Sequence, residues 1–248
     1  MKMLVLAGAF LLGGSGFAFA TEAKKTPMES FDWSGAYAGV HLGYGWGDSR
    51  FTDAEYNGFP PFFPTVIWDV GSDGFLGGIQ AGYNVQTGSV VLSVEGELGY
   101  LGLKGGKLQP GTDPFDVPYD ASGTIDKDWY GGISARLGYA WERTLFYLKG
   151  GAVYSAANLG FIDTCVTAPC GDTMIEAYKS AGWGYQLGGG VEYAVARNWT
   201  IKAEYVYFDF GSHMITGTGV GGSFEGMVFN IHSNLSVHTA KAGLNYKF

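Results

Sequence analysis

The chain is poor in charge, in cysteine and in long apolar runs. Only 15% of its 248 residues are Asp, Glu, Lys or Arg, well below the share in an ordinary soluble domain. Basic residues are scarcer than acidic ones, 15 against 23, for a formal net charge of −8. A nucleic-acid partner is therefore not expected, because phosphate recognition rests on Lys and Arg. The two cysteines, Cys165 and Cys170, stand five positions apart. In an exported chain such a pair reads first as a small disulfide. Metal binding is the weaker alternative, since no further Cys or nearby His completes four ligands. After the N-terminal segment, no stretch approaches the ~20 apolar residues that a membrane-crossing helix needs.

What is abundant is glycine, 42 residues, and aromatic side chains, 16%. Aromatics spread along the whole chain argue against disorder. The length suits one all-β barrel domain. At the N-terminus Lys2 precedes an apolar, Gly/Ala-rich run to Phe19, and Ala18-Phe19-Ala20 fits a small-x-small cleavage site. Residues 1–20 are expected to be a signal peptide removed after Ala20, leaving Thr21 as the mature start. A membrane anchor is the alternative, but the run is short and broken by glycine. Residues 21–32 form a short polar tail on the periplasmic side, and 33–248 form the barrel.

The tail end of the chain organises the rest. Phe248, Tyr246, Leu244, Ala242 and Ala240 share one parity; Lys247, Asn245, Gly243, Lys241 and Thr239 share the other. That is strand alternation to the last residue. A final strand that pairs with the first leaves no edge. The same period recurs in Trp33 to Trp46, Gly74 to Gln86, Val90 to Leu103, Trp129 to Trp141, Leu145 to Ser155, Gly182 to Val195, Trp199 to Phe210 and about Val228 to Phe248. Short turns such as Thr87-Gly88-Ser89 alternate with four long polar stretches, near 48–73, 104–128, 156–181 and 211–227. The expectation is an all-β, eight-stranded antiparallel up-and-down transmembrane barrel, with short periplasmic turns and long outer loops.

Alternation alone does not say which face is outside. A soluble barrel of lipocalin type would turn its apolar face inward. Here the apolar parity carries aromatics near the strand ends, including Trp46, Tyr100, Trp129, Trp141, Trp183 and Trp199, where lipid interfaces would lie. The other parity carries many glycines and a few ions of both signs: Glu95, Glu97, Glu192 and Glu204 with Arg136, Lys149, Lys202 and Lys241. A water-facing surface would hold more charge and less glycine. Small residues plus matched ions suit a narrow, packed barrel interior.

A terminal Phe after alternating hydrophobic residues resembles the C-terminal signature of bacterial outer-membrane barrels, which implies the barrel-assembly machinery as a partner through the strand ending at Phe248. Trp33 to Val40, Gly74 to Asn84, Arg136 to Ala140, Lys202 to Tyr205 and His238 to Phe248 together resemble the small outer-membrane proteins of alphaproteobacteria. That family includes immunogenic surface proteins and haemin-binding, porin-like proteins. The resemblance implies an OmpA-like membrane barrel, here without the peptidoglycan-binding domain.

Four functions follow as alternatives. The first is a structural, surface-exposed barrel that supports the envelope and presents its outer loops, with outer-membrane lipid and lipopolysaccharide as partners. The long stretches are rich in carboxylates, suited to divalent cations bridging lipopolysaccharide phosphates, although solvated surface is the plainer reading. The second is a porin-like channel for small solutes; eight strands enclose little more than their own side chains, so little or no conductance is expected. The third, carried by resemblance alone, is haem or a host surface ligand at the loops, with His213, Tyr56 and Tyr119 as candidate iron contacts. The fourth is a hydrolase built on His238, Ser236 and Asp209. No catalytic, cofactor or metal residue is assigned. Phe59 to Pro64 forms a stiff apolar patch that packs on the barrel rim or meets a partner. If Cys165 and Cys170 are oxidised, thiol labelling of the unreduced mature protein captures neither sulfur; capture of both would remove the disulfide.

Overall fold

The computed structural model describes residues 30–56, 66–112, 118–126, 128–165, 173–222 and 225–248. The expected signal peptide and the Phe59–Pro64 patch lie outside them. The elements are β1 (Gly35–Tyr56), β2 (Val66–Thr87), β3 (Val90–Leu101), β4 (Gly105–Thr112), β5 (Pro118–Asp126), β6 (Asp128–Trp141), β7 (Thr144–Cys165), β8 (Thr173–Ala194), β9 (Trp199–Val220) and β10 (Val228–Lys247). Every pairing between them is antiparallel.

Eight of these strands close a ring: β1, β2, β3, β6, β7, β8, β9 and β10, which returns to β1. The closing pair puts Tyr37 against Lys247 and Leu42 against Ala242. Closure gives the backbone N–H and C=O groups partners on both flanks, the condition for placing strands in lipid. The β4–β5 hairpin extends the wall above β3 and β6. Its outer strand pairs with β7, from Asp120–Thr164 to Asp126–Asn158, and Asp73 bridges to Lys104 beside β2.

The strands are much longer than the periodicity of the apolar face suggests. β1, β2, β7, β8 and β9 each have 22 residues, about twice the 9–11 that cross a bilayer at a slant. Most of 48–73, 104–128, 156–181 and 211–227, expected as loops, continues the wall, and His213 stands in β9. The reason is chemical. Above the aromatic level the two faces exchange character: Asp48 and Arg50 are exposed while Ser49 and Phe51 are buried. A search for an apolar outer face stops there, although the two-residue period does not.

Two aromatic levels bound an apolar outer band. At the upper level Tyr100 meets Trp129 edge-on with ring centroids 5.8 Å apart, and Tyr154 meets Trp183 at 5.4 Å. At the lower level Trp199 meets Tyr246 at 5.1 Å and Tyr246 meets Phe248 at 5.3 Å. Between them Val40, Leu42, Ile79, Ile133, Leu137 and Leu148 are exposed. Exposure on this scale is what a lipid solvent demands and what water forbids.

Inside, three layers stack. A small apolar floor joins Trp33, Val91, Leu145, Tyr147 and Ala194, with the Trp33 amide donating to Gln86 Oε1 at 2.7 Å. A charged layer follows. Above it lies a large apolar core that includes Phe51, Val70, Leu103, Leu159, Phe161, Phe210 and Ile231.

The pleats interlock closely where glycine faces inward. A Cβ on Gly151 would collide with the Ile133 carbonyl oxygen and lie 2.6 Å from Ser134 Cα. Gly151→Ala therefore forces β6 and β7 apart. The folded fraction after refolding into lipid, read by the gel mobility of unheated samples, is expected to fall severalfold relative to Ala152→Gly, whose site faces outward.

Candidate functional site: the charged layer of the barrel

The charged layer is built by parity. Each of its residues sits on the inward face of its strand, because one residue earlier or later would turn it into lipid. Glu95 and Glu97 come from β3, Arg136 from β6, Lys149 from β7, Glu192 from β8, Lys202 and Glu204 from β9, and Lys241 from β10. All eight side chains expected from sequence at the interior are buried. They comprise four carboxylates and four cations, so the layer is electrically neutral in its ionised form.

Glu95 is the hub. Its Oε2 lies 3.0 Å from Arg136 Nη1 and 3.2 Å from Lys202 Nζ, and its Oε1 lies 2.9 Å from Lys149 Nζ. The Tyr37 hydroxyl donates to the same Oε2 at 2.8 Å, and Arg136 Nη1 donates to Tyr37 Oη at 2.9 Å. Arg136 also bonds Glu192 Oε2 through Nη2 at 2.8 Å, and its guanidinium carbon sits 3.8 Å from the centroid of the Tyr147 ring. A planar guanidinium can hold two carboxylates and an aromatic face at once, which an ammonium cannot.

The second half of the layer is looser. Lys241 Nζ donates to Glu97 Oε2 at 2.8 Å. Lys202 and Lys149 approach Glu204 at 3.1 Å and 3.5 Å, yet neither Glu204 oxygen has an aligned hydrogen bond. Neutral groups tie β1 and β2 in. Thr200 donates to Glu192 Oε1, Asn245 Nδ2 donates to the same oxygen at 2.8 Å, and Gln80 Nε2 donates to Asn245 Oδ1 at 2.7 Å. His41 bridges Gln80 Oε1, 2.6 Å from Nδ1, and the Tyr130 hydroxyl, 2.8 Å from Nε2. Of these neutral groups only His41 was expected inside from the sequence; Gln80, Tyr130, Thr200 and Asn245 do not stand out when charge is the guide. Their inward parity beside the ions was the available signal.

Other candidates sit apart. His238 Nδ1 is 2.6 Å from the Tyr205 hydroxyl, and its ring stacks near Trp46. Asp209 accepts from the Tyr185 and Tyr207 hydroxyls at 3.0 Å and 3.2 Å. Ser236, His238 and Asp209 are thus neighbours on the outer face but not a hydrogen-bonded relay. His213 Nε2 donates to the carbonyl of Phe210 at 2.7 Å. Cys165 ends β7 opposite Thr173; Cys170, and with it the disulfide, lies outside the described residues, as do the side chains of Tyr56 and Tyr119. At the outer rim Arg50 Nε meets Asp69 Oδ1 at 2.8 Å, both largely exposed, and that hydrogen bond holds the Asp69 carboxyl below its usual range.

Removing one member of a buried ion cluster leaves its partners charged and unpaired, at about 3–5 kcal/mol. Glu95→Gln takes a carboxylate from three cations, leaving Arg136 with Glu192 and Lys149 and Lys202 with the unaligned Glu204, and is expected to lose that much in urea-induced unfolding from lipid. Glu204→Gln is expected to lose less than half as much, because Lys149 and Lys202 keep Glu95. Equal losses would remove Glu95 as the hub.

The family described as the outer membrane protein beta-barrel domain matches residues 9–248. The 31 kDa outer-membrane immunogenic protein of Brucella melitensis biotype 1 is 35% identical over 233 residues, 90% of this chain and 86% of that protein. The 25 kDa outer-membrane immunogenic protein of Brucella abortus biovar 1 is 26% identical over 259 residues, covering 100% of this chain and 99% of that protein. Among solved structures, the outer membrane protease OmpT from Escherichia coli aligns with a TM-score of 0.48 at 10% identity, over 88% of this chain and 98% of that one. With a closed ring of eight antiparallel strands, an apolar exterior between aromatic levels and the Brucella relatives, the chain belongs to the family of small outer-membrane β-barrel proteins that includes those immunogenic proteins.

Proposed function

We propose that this barrel is a structural component of the outer membrane that presents surface to the outside and is sealed against axial flow. The observation that carries this reading is the neutral cluster of four carboxylates and four cations across the bore, between two apolar layers. A water file needs a continuous wetted path, and an eight-stranded bore is already filled by its own side chains. Side chains from all eight ring strands reach the layer, so opening it axially would break several buried ion pairs at once.

The surface it presents is mostly wall. Among the described residues the strands rise well beyond the upper aromatic level, with an apolar core of their own inside, so the surface they expose stands on a stiff tube. That arrangement fits the word immunogenic in the relatives' names. Lipid and lipopolysaccharide contact the apolar band and its upper rim, and the assembly machinery engages the strand that ends at Phe248. This reading includes no catalytic step: the His238 imidazole is occupied by Tyr205, and the Asp209 carboxylate by two tyrosines.

The refolded barrel in a planar bilayer is expected to show no steady openings. Regular conductance steps that change size in Glu95→Gln or Lys202→Met would establish an axial pore and overturn the sealed reading.

A further inference from the structure

Among the described residues two neighbouring pairs of wall strands lose their ladder: β2 and β4 above the Asp73–Lys104 bridge, and, within the ring of eight, β8 and β9. Between β8 and β9 the ladder runs from Ala194–Thr200 to Tyr185–Asp209, lapses, and resumes at Glu176–Thr218 in the same register. Over residues 177–184 and 210–217 the two strands lie side by side without pairing. Both contain a glycine in the left-handed region there, Gly182 and Gly211, each with φ of 71°. At those glycines both strands change parity. On β9 Lys202, Glu204, Val206 and Phe208 face inward below, and Ile215 and Gly217 above; on β8 Gln186 and Glu192 face inward below, and Ile175, Ala177 and Ala181 above. Two adjacent parity changes at one level prevent a continuous ladder.

Side chains take over part of the missing bonding. Lys179 Nζ crosses from β8 to donate to the Met214 carbonyl at 3.0 Å, and His213 takes the Phe210 carbonyl of its own strand. Lys179 shares its parity with buried Ala177 and Ala181 but is exposed, as a side chain leaving through the seam would be. Behind the seam the interior is apolar, with Ala181, Leu159, Phe210 and Ile215 all buried. Its lower end stands at the upper aromatic level, beside Trp183 and Tyr185, where the outer leaflet meets water.

We propose that this seam is a lateral entrance through which a small, uncharged, apolar molecule passes between the outer leaflet and the upper barrel interior. The charged layer below opposes descent of such a molecule, since it offers ions where the solute offers no hydrogen bonds. The apolar core above the charged layer would then be reached through the wall. A lapse of ladder costs little at this height, because water can satisfy the freed backbone groups.

The test uses the full barrel refolded in lipid nanodiscs, with Cys165→Ser and Cys170→Ser as background. One variant adds Ala181→Cys behind the seam. A second adds Val237→Cys, equally buried but flanked by unbroken pairing to Gly47 and Phe208. Each is treated with N-phenylmaleimide and with a sulfonated maleimide of similar size. The thiol of the Ala181→Cys variant is expected to react with the apolar reagent at least tenfold faster than the thiol of the Val237→Cys variant does, and at least tenfold faster than with the sulfonated reagent. Similar rates at the two sites, fast or slow, would overturn the entrance. Equal rates with both reagents in the Ala181→Cys variant would overturn its apolar character and indicate a wet gap. Because the readout is thiol reactivity, it is independent of whether the barrel conducts ions.

Discussion

The carboxylate of Glu95 is the point on which the barrel turns. It is held by Arg136, Lys149, Lys202 and the Tyr37 hydroxyl, from four strands. Ionised groups this deeply buried persist only with partners, since removing each from water costs several kcal/mol. The partners must arrive from opposite sides of the ring, so their interactions form only when the wall is closed and in register. A slip of one residue in β6, β7 or β9 would deliver an ion to lipid. Such a cluster is weak evidence for stability in itself, because an apolar filling can be as stable. Its contribution here is selection of one register among many that glycine-rich strands could adopt.

A barrel twice as tall as its membrane has to satisfy two solvents along one strand. Below the upper aromatics the outside is lipid and the inside is polar; above them the outside is water and the inside is apolar. Most strands meet this by exchanging residue types at constant parity. β10 keeps its odd positions inward from Asn245 and Lys241 to Leu235 and Ile231. β8 and β9 instead reset parity at Gly182 and Gly211. A reset needs a residue that tolerates positive φ without strain, which glycine does. It also breaks the ladder, a defect that would be expensive in hydrocarbon and is tolerable at the headgroup level.

This contrast explains what the sequence made legible. The ring of eight, its strand order and the eight buried ions follow from a period of two and from charge placed on the glycine-rich parity. The upper half of the wall was hidden because the reading followed an apolar outer face. Ser49 and Phe51 obey the same period as His41 and Gly43, with the polarity of the faces exchanged. Likewise Gln80, Asn245 and Tyr130, which join His41 to the charged layer, are neutral and give no compositional signal. The parity resets were unreadable for a different reason: in a chain with 42 glycines, nothing in one dimension separates Gly182 and Gly211 from those that only make room.

The charged layer and the β8–β9 seam bear on the same question, how anything could reach the upper interior. On the proposed function, passing a solute along the axis would break ion pairs that span the bore. Exchange between its upper apolar core and the outer leaflet would instead use the wall, where closure is a set of separate hydrogen bonds rather than a cooperative ion cluster. Parting two strands that are already unpaired over part of their length costs far less than opening a paired ladder, because each buried backbone bond broken without replacement costs about 1–3 kcal/mol. Between β8 and β9 a lysine-to-carbonyl bond spans that stretch in place of the ladder. That unpaired stretch of the wall lies where lipid, water and an apolar interior meet.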